Sequence, residues 1–350
     1  MRSFFLLVLG CLLAAPLSAQ SPAQYTWTFA LGAIAPLDSG EGVITPVLVA
    51  NYDPTSDASF RMHYKTSKLA LRYRPEAGPW ALLSGVEVIS TGDPGAFYYQ
   101  GRRQRAYNFA GHSPYLGIGY LLMDEPKTQW LVEGVSTRYI ATPVAEATDP
   151  GLKLPADQGE QRIGTQTQGQ QGGLSWDASA YRLQRESQPS WQLNPEPQTE
   201  AHKAWGKLGY DQAWAGVSTL EAEFGAGSGL DLFTGFSLGG IGSPHQIPGY
   251  YRAEFRARSF GRLAVKHKVT FEGGARLFGS FEAAQFKSLE LFGPESFDSP
   301  AGFSLGGYYP IQSLKGLPVI LIYGQGVGGV PENSPEDYRR QLALMLAAAF

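Results

Sequence analysis

Gln341-Leu342-Ala343-Leu344-Met345-Leu346-Ala347-Ala348-Ala349-Phe350 ends the sequence, and its reading decides the fold. Taken at every second position, Leu342, Leu344, Leu346, Ala348 and Phe350 form one face, and Gln341, Ala343, Met345, Ala347 and Ala349 form the other. A period of two belongs to a strand, whose successive side chains point to opposite faces. Ala and Leu are also good helix formers. By itself the segment therefore fits an amphipathic helix as well as a strand, and the rest of the chain has to decide.

The preceding sequence repeats the same rhythm. Tyr25, Trp27, Phe29, Leu31 and Ala33 enclose Thr26 and Thr28, and Phe60, Met62 and Tyr64 enclose Arg61 and His63. Leu220, Ala222 and Phe224 alternate with Thr219, Glu221 and Glu223. Tyr251, Ala253, Phe255 and Ala257 alternate with Arg252, Glu254, Arg256 and Arg258. After a turn placed near Gly261, Leu263, Val265 and Val269 alternate with Lys266, Lys268, Thr270, Glu272 and Arg276. A membrane strand needs about 9 to 11 residues with apolar side chains toward lipid and polar ones toward a lumen. Aromatic pairs near segment ends (Tyr98-Tyr99, Tyr250-Tyr251, Tyr308-Tyr309) suit interfacial girdles. In this setting the terminal strand with its final Phe350 resembles the recognition signal of bacterial outer-membrane barrels, carried by Leu342, Leu344, Leu346 and Phe350.

Composition agrees. Of 350 residues, 43 are Gly and 13% are aromatic, while only 17% are charged. A disordered tail protein would be aromatic-poor and highly charged. The net charge of −3 argues against a dedicated nucleic-acid binder. Residues 1–19 read as a secretory signal peptide: basic Arg2, an apolar stretch from Phe4 to Ala15, then Pro16-Leu17-Ser18-Ala19. Cleavage there removes Cys11, the single cysteine, and leaves neither a disulfide nor a Cys-metal site. The domain organisation is thus a signal peptide over 1–19 and one barrel over 20–350, with no linker and no second domain.

The rhythm predicts seventeen candidate strands: 25–34, 42–51, 58–66, 68–75, 79–90, 113–123, 128–141, 172–184, 202–211, 213–226, 229–239, 249–259, 262–279, 284–292, 302–309, 317–326 and 338–350. Single-chain bacterial barrels have even numbers of strands. The fold class expected is all-β, a closed antiparallel transmembrane barrel of sixteen strands, with fourteen as the alternative. Residues 92–111, 141–172 and 184–200 are read as long loops, the second including the Gln-rich run 158–173. Long loops on one rim and short turns on the other fit an outer-membrane barrel.

Catalytic signals are weak. Gly235-Phe236-Ser237-Leu238-Gly239 and Gly302-Phe303-Ser304-Leu305-Gly306 match G-x-S-x-G. That motif needs a helix after the serine, and the Gly- and Pro-rich sequence after each copy cannot start one. The five histidines are scattered, without a metal-binding i, i+4 pair. No enzyme activity, cofactor or metal is expected. The charges are more telling. Arg252, Glu254, Arg256, Arg258, Lys266, Lys268, Glu272 and Arg276 share the inward phase, since charges facing lipid at mid-membrane are costly. They form either a stiffening salt-bridge network, or a selectivity wall or docking surface for an inserted loop.

From Leu230 to Phe350 the chain resembles the BamA/TamA family, the bacterial surface-antigen barrels of outer-membrane assembly and translocation. The resemblance rests on Leu232 to Gly240, the loop Ile247-Pro248-Gly249-Tyr250, the strand Tyr251 to Arg258, Phe271-Glu272-Gly273-Gly274, and the hairpin from Leu317 to Phe350. It covers about a third of the chain. It implies that the loop at Pro248, Gly249 and Tyr250 folds into the lumen. In the family an Arg of this loop meets an acidic residue on a following strand. Here Pro248 occupies the Arg position, and Glu272 is taken as the acidic partner. The family's periplasmic repeat domains have no room before Tyr25. The resemblance implies an outer-membrane location and a role in outer-membrane protein biogenesis or secretion. A passive porin-like channel or a structural barrel is the alternative. The partners expected are outer-membrane lipid, with a client polypeptide or a separate periplasmic protein, for a monomeric barrel that binds no nucleic acid.

Overall fold

Alternation builds the observed architecture. The computed structural model describes residues 24–36, 43–53, 56–63, 66–73, 80–89, 97–99, 102–104, 107–123, 128–143, 158–185, 199–230, 234–240, 243–250, 255–289, 297–311, 317–327 and 340–349. Its strands are β1 (Gln24–Pro36), β2 (Val43–Asp53), β3 (Ser56–His63), β4 (Thr66–Tyr73), β5 (Trp80–Ile89), β6 (Phe97–Tyr99) and β7 (Arg102–Gln104). Next come β8 (Tyr107–Met123), β9 (Thr128–Pro143), β10 (Gln158–Gln171), β11 (Leu174–Arg185), β12 (Glu200–Ala213) and β13 (Val217–Ser228). The C-terminal part holds β14 (Phe236–Gly239), β15 (His245–Gln246), β16 (Phe255–Thr270), β17 (Arg276–Ser288), β18 (Phe297–Asp298), β19 (Ala301–Ile311), β20 (Leu317–Gly326) and β21 (Arg340–Ala349).

The long strands form an antiparallel sheet in which chain neighbours pair, apart from short inserted pieces. β1 is hydrogen-bonded to β2 along one edge, with Phe29 opposite Leu48. Along its other edge it pairs with β21, with Leu31 opposite Leu346. The two faces differ in chemistry. Leu220, Phe224, Leu263, Val265, Leu277, Phe281, Leu305 and Leu344 all lie exposed on the outer face. Their inward neighbours Glu221, Glu223, Arg262, Ala264, Glu282, Ser304 and Gln341 are buried. An exposed apolar face backed by a buried polar one inverts the usual soluble arrangement.

Four sequence assignments are corrected. β16 runs unbroken through Gly261, and the turn comes later, at Phe271–Ala275. A glycine on the outer face of a continuous ladder carries the same local signal as a turn residue. The run 158–171 is strand β10, paired along its length with β9 and β11. It was hidden because Thr165 and Thr167, not large apolar residues, share its outward phase with Ile163. Among the described residues of 229–239, strand appears at β14, which pairs with the start of β16 beyond the end of the β13–β16 ladder. Tyr250, expected in a girdle, is buried at 1% exposure.

Candidate functional site

The described residues between β13 and β16, 234–240 and 243–250, pack their apolar side chains against the polar-and-aromatic face of the sheet. β14 pairs antiparallel with Phe255 to Ala257 of β16, and β15 pairs parallel with β14. Ile247 donates its backbone N–H to Gly239 O at 2.6 Å, tightening the return. The apolar side of this segment supplies Phe236, Leu238, Ile247, Pro248 and Tyr250, all fully or almost fully buried. The wall answers with Phe255, Phe260 and Phe286. Phe236 meets Phe260 edge-on at 5.0 Å, and Tyr250 meets Phe255 at 5.1 Å. Gly225 leaves the space that the rings of Phe236 and Phe260 occupy.

The tip reaches farther round the wall. Gly249 has φ of +92°, and a Cβ there would run into the backbone of Gln325 and Gly326 on β20. Pro248 O lies against Gly302 on β19, and the Tyr250 ring lies against Gly326. Glycine is required at position 249 twice over, by its left-handed conformation and by this close approach.

Beside the apolar layer lies a buried ionic layer. Arg262 Nη1 donates to Glu223 Oε2 at 2.7 Å, and Nη2 donates to Glu282 Oε2 at 2.6 Å. Arg262 Nε donates to the carbonyl of Gln246 at 2.8 Å, so one guanidinium holds both wall and loop. Glu223 Oε1 takes Trp205 Nε1–H at 2.6 Å and faces His245 Nδ1 at 2.7 Å. Ser280 Oγ donates to Glu282 Oε1 at 3.0 Å. Glu221 is met by Lys266 at 2.7 Å and Lys207 at 3.3 Å. Farther round, Lys203 Nζ donates to Thr234 O at 3.0 Å and Arg185 Nη2 to Thr234 Oγ1 at 2.8 Å. The loop is therefore gripped at its start and near its tip.

Of the expected site residues, Pro248, Gly249 and Tyr250 lie in this inward loop. Lys266 joins the ionic wall through Glu221. Lys268 is exposed near the turn end of β16, and Arg276 stacks over Tyr308 at 4.9 Å. Arg256 and Arg258 are partly buried beside a β-bulge between Ala257 and Ser259. Arg252, Glu254 and Phe350 lie outside the described residues. Leu344 is on the exposed outer face, and Leu346 pairs with Leu31 and Val319. Glu272 is corrected: it sits exposed in the short 3-10 turn Glu272–Gly274, away from the loop. Acidic partners on the wall are instead Glu223 and Glu282, and their cation is Arg262, which the expected turn near Gly261 had hidden. Continuing the alternation from Phe260 through Arg262 and Ala264 would have found it. Of the two motif serines, Ser304 shares a 2.8 Å hydrogen bond with Ser280, as a rung of the same network. Ser237 is opposite Arg256 in the β14–β16 ladder.

An antiparallel sheet with an apolar exterior, an ionic interior and an inward loop is the fold of outer-membrane β-barrels. CdiB from Acinetobacter baumannii has the same fold, with a TM-score of 0.65 at 9% identity, over 95% of this chain and 61% of that one. BamA from Haemophilus ducreyi, lacking POTRA domains 1–3, gives 0.62 at 11% identity over 94% of this chain and 71% of that one. OccD1 (OprD) gives 0.50 at 9% identity over 94% of this chain and 96% of that one. The chain thus spans about three fifths of CdiB. No protein-family model and no curated sequence matches the chain.

Proposed function

We propose that the chain is a closed sixteen-stranded barrel of the bacterial outer membrane that handles polypeptides in assembly or secretion, as its BamA/TamA-like sequence features imply. Setting aside the short pieces β6, β7, β14, β15 and β18, sixteen strands remain among the described residues, and β1–β21 pairing supports ring closure. Closure suits a membrane because lipid cannot satisfy an open sheet edge. The short turns 172–173 and 214–216 lie at one rim, and β11 and β13 end at the other, which we place outside the cell. Residues 1–19 serve as the export signal.

One observation carries the reading. The inward loop is locked to the wall by a buried network centred on Arg262, which suits an occluded barrel better than an open pore. The chain takes its cation from the wall, where the family takes it from the loop, so Pro248 leaves the acidic residues with a partner. Its partners are outer-membrane lipid and a client polypeptide or a separate periplasmic protein. The chain has no catalytic role. A passive channel is the second reading, favoured by the OccD1-like fold and by Pro248 in place of the loop Arg.

Planar-bilayer recording tests the choice. The wild-type chain should be nearly silent, with conductance appearing when the loop 234–250 is deleted. Steady open conductance in the wild type would favour the passive channel.

A further inference from the structure

Ser218 on β13 and His267 on β16 face each other in the ladder, next to the outward pair Leu220 and Val265. Leu220 and Val265 are 55% and 54% exposed, so this phase is the one that meets lipid. Ser218 Oγ and His267 Nδ1 are 2.9 Å apart. Among the described residues, none hydrogen-bonds His267 Nε2. A polar atom on the lipid-facing phase of a strand calls for a polar partner. The pair lies just above the turn Trp214–Gly216, and Trp214, Tyr210 and Phe271 stand exposed around it. Exposed aromatic side chains of this kind mark the headgroup level of a membrane.

We infer that Ser218 and His267 form a docking site for the phosphate of a phospholipid headgroup in the leaflet on the turn side. The site uses the tautomer in which Ser218 donates its hydroxyl proton to Nδ1 and the imidazole proton sits on Nε2. That N–H donates to a phosphate oxygen, while Trp214 and Phe271 lie against the glycerol and upper acyl region. A phosphate suits the site because the free atom is a donor at headgroup depth, flanked by apolar rings. The inference rests on the reading of the chain as a membrane barrel.

Native mass spectrometry of the full barrel, released from micelles containing phosphatidylglycerol, tests it. The wild type should retain at least one lipid, His267→Leu should retain at least tenfold less, and His267→Gln, which keeps an N–H donor, should retain most of it. Diacylglycerol, which lacks the phosphate, should not be retained by the wild type. Inorganic phosphate should not displace the lipid. Equal retention by His267→Leu would overturn the site, as would retention of diacylglycerol or displacement by free phosphate. Folding is followed separately by heat-modifiable gel migration after insertion into vesicles. A wild type that fails to insert would overturn the barrel reading itself. The diacylglycerol comparison needs no variant, so it decides even if His267→Leu does not fold.

Discussion

Arg262 on β16 and Glu282 on β17 meet at 2.6 Å, with side chains only 4% and 2% exposed. The same guanidinium also bonds Glu223 and the Gln246 carbonyl, so the pair ties the wall to the inward loop. Two buried carboxylates converge on one cation, and each leans on a second donor, Trp205 or Ser280. The arrangement stands only while the cation is present, because an unpaired buried charge is far more costly than a missing exposed one.

Replacing Arg262 with Met leaves Glu223 and Glu282 buried without their cation. Loss of one partner from such a pair costs about 3–5 kcal/mol. Urea unfolding of the vesicle-inserted barrel should show that loss. Arg262→Lys should recover only part of it, since a single ammonium cannot reproduce the forked geometry.

Glu272 and Glu282 should behave oppositely. Glu272→Gln changes an exposed turn residue and should shift stability by no more than about 0.5 kcal/mol. Glu282→Gln removes the charge facing Arg262 and should destabilise by about 1–3 kcal/mol. Equal effects in the same unfolding assay would contradict the assignment of Glu282 as the wall's acidic partner.

Gly249→Ala places a side chain where φ is +92° and where the backbone of β20 already lies. The strained backbone alone costs about 1–3 kcal/mol. The expected outcome is a loosened loop tip, read as channel openings in planar bilayers where the wild type is silent. An unchanged, silent barrel would show that the tip contact is dispensable.

Leu263 is 61% exposed midway along β16. An arginine there would face hydrocarbon and should cost about 2–4 kcal/mol, against about 0–1 kcal/mol for a charge near an interface. Tyr309→Arg, near the turn rim, supplies the comparison. Similar costs at both sites would mean that the outer face does not cross a bilayer.

Most of the wall is legible in the amino-acid sequence. The terminal segment from Gln341, the alternation of β13 and the start of β1 each carry large apolar residues at every second position. Where the outward residue is small, the reading failed: Gly261 looked like a turn, and Thr165 and Thr167 concealed β10. The site was legible only in part. Pro248, Gly249 and Tyr250 were found from the family resemblance, whereas Arg262, Glu282, His245 and Trp205 were missed.

The amino-acid order alone determined that strands form, which face of each is apolar, and that a Gly-Tyr loop interrupts them between β13 and β16. Those are local properties, set by a period of two and by turn chemistry. Tertiary structure decided which charges meet. Arg262, Glu223 and Glu282 lie up to 59 positions apart and come together only because β13, β16 and β17 are neighbours in register. No local pattern encodes that meeting, because pairing of this kind depends on which strands become neighbours and on where each ladder begins.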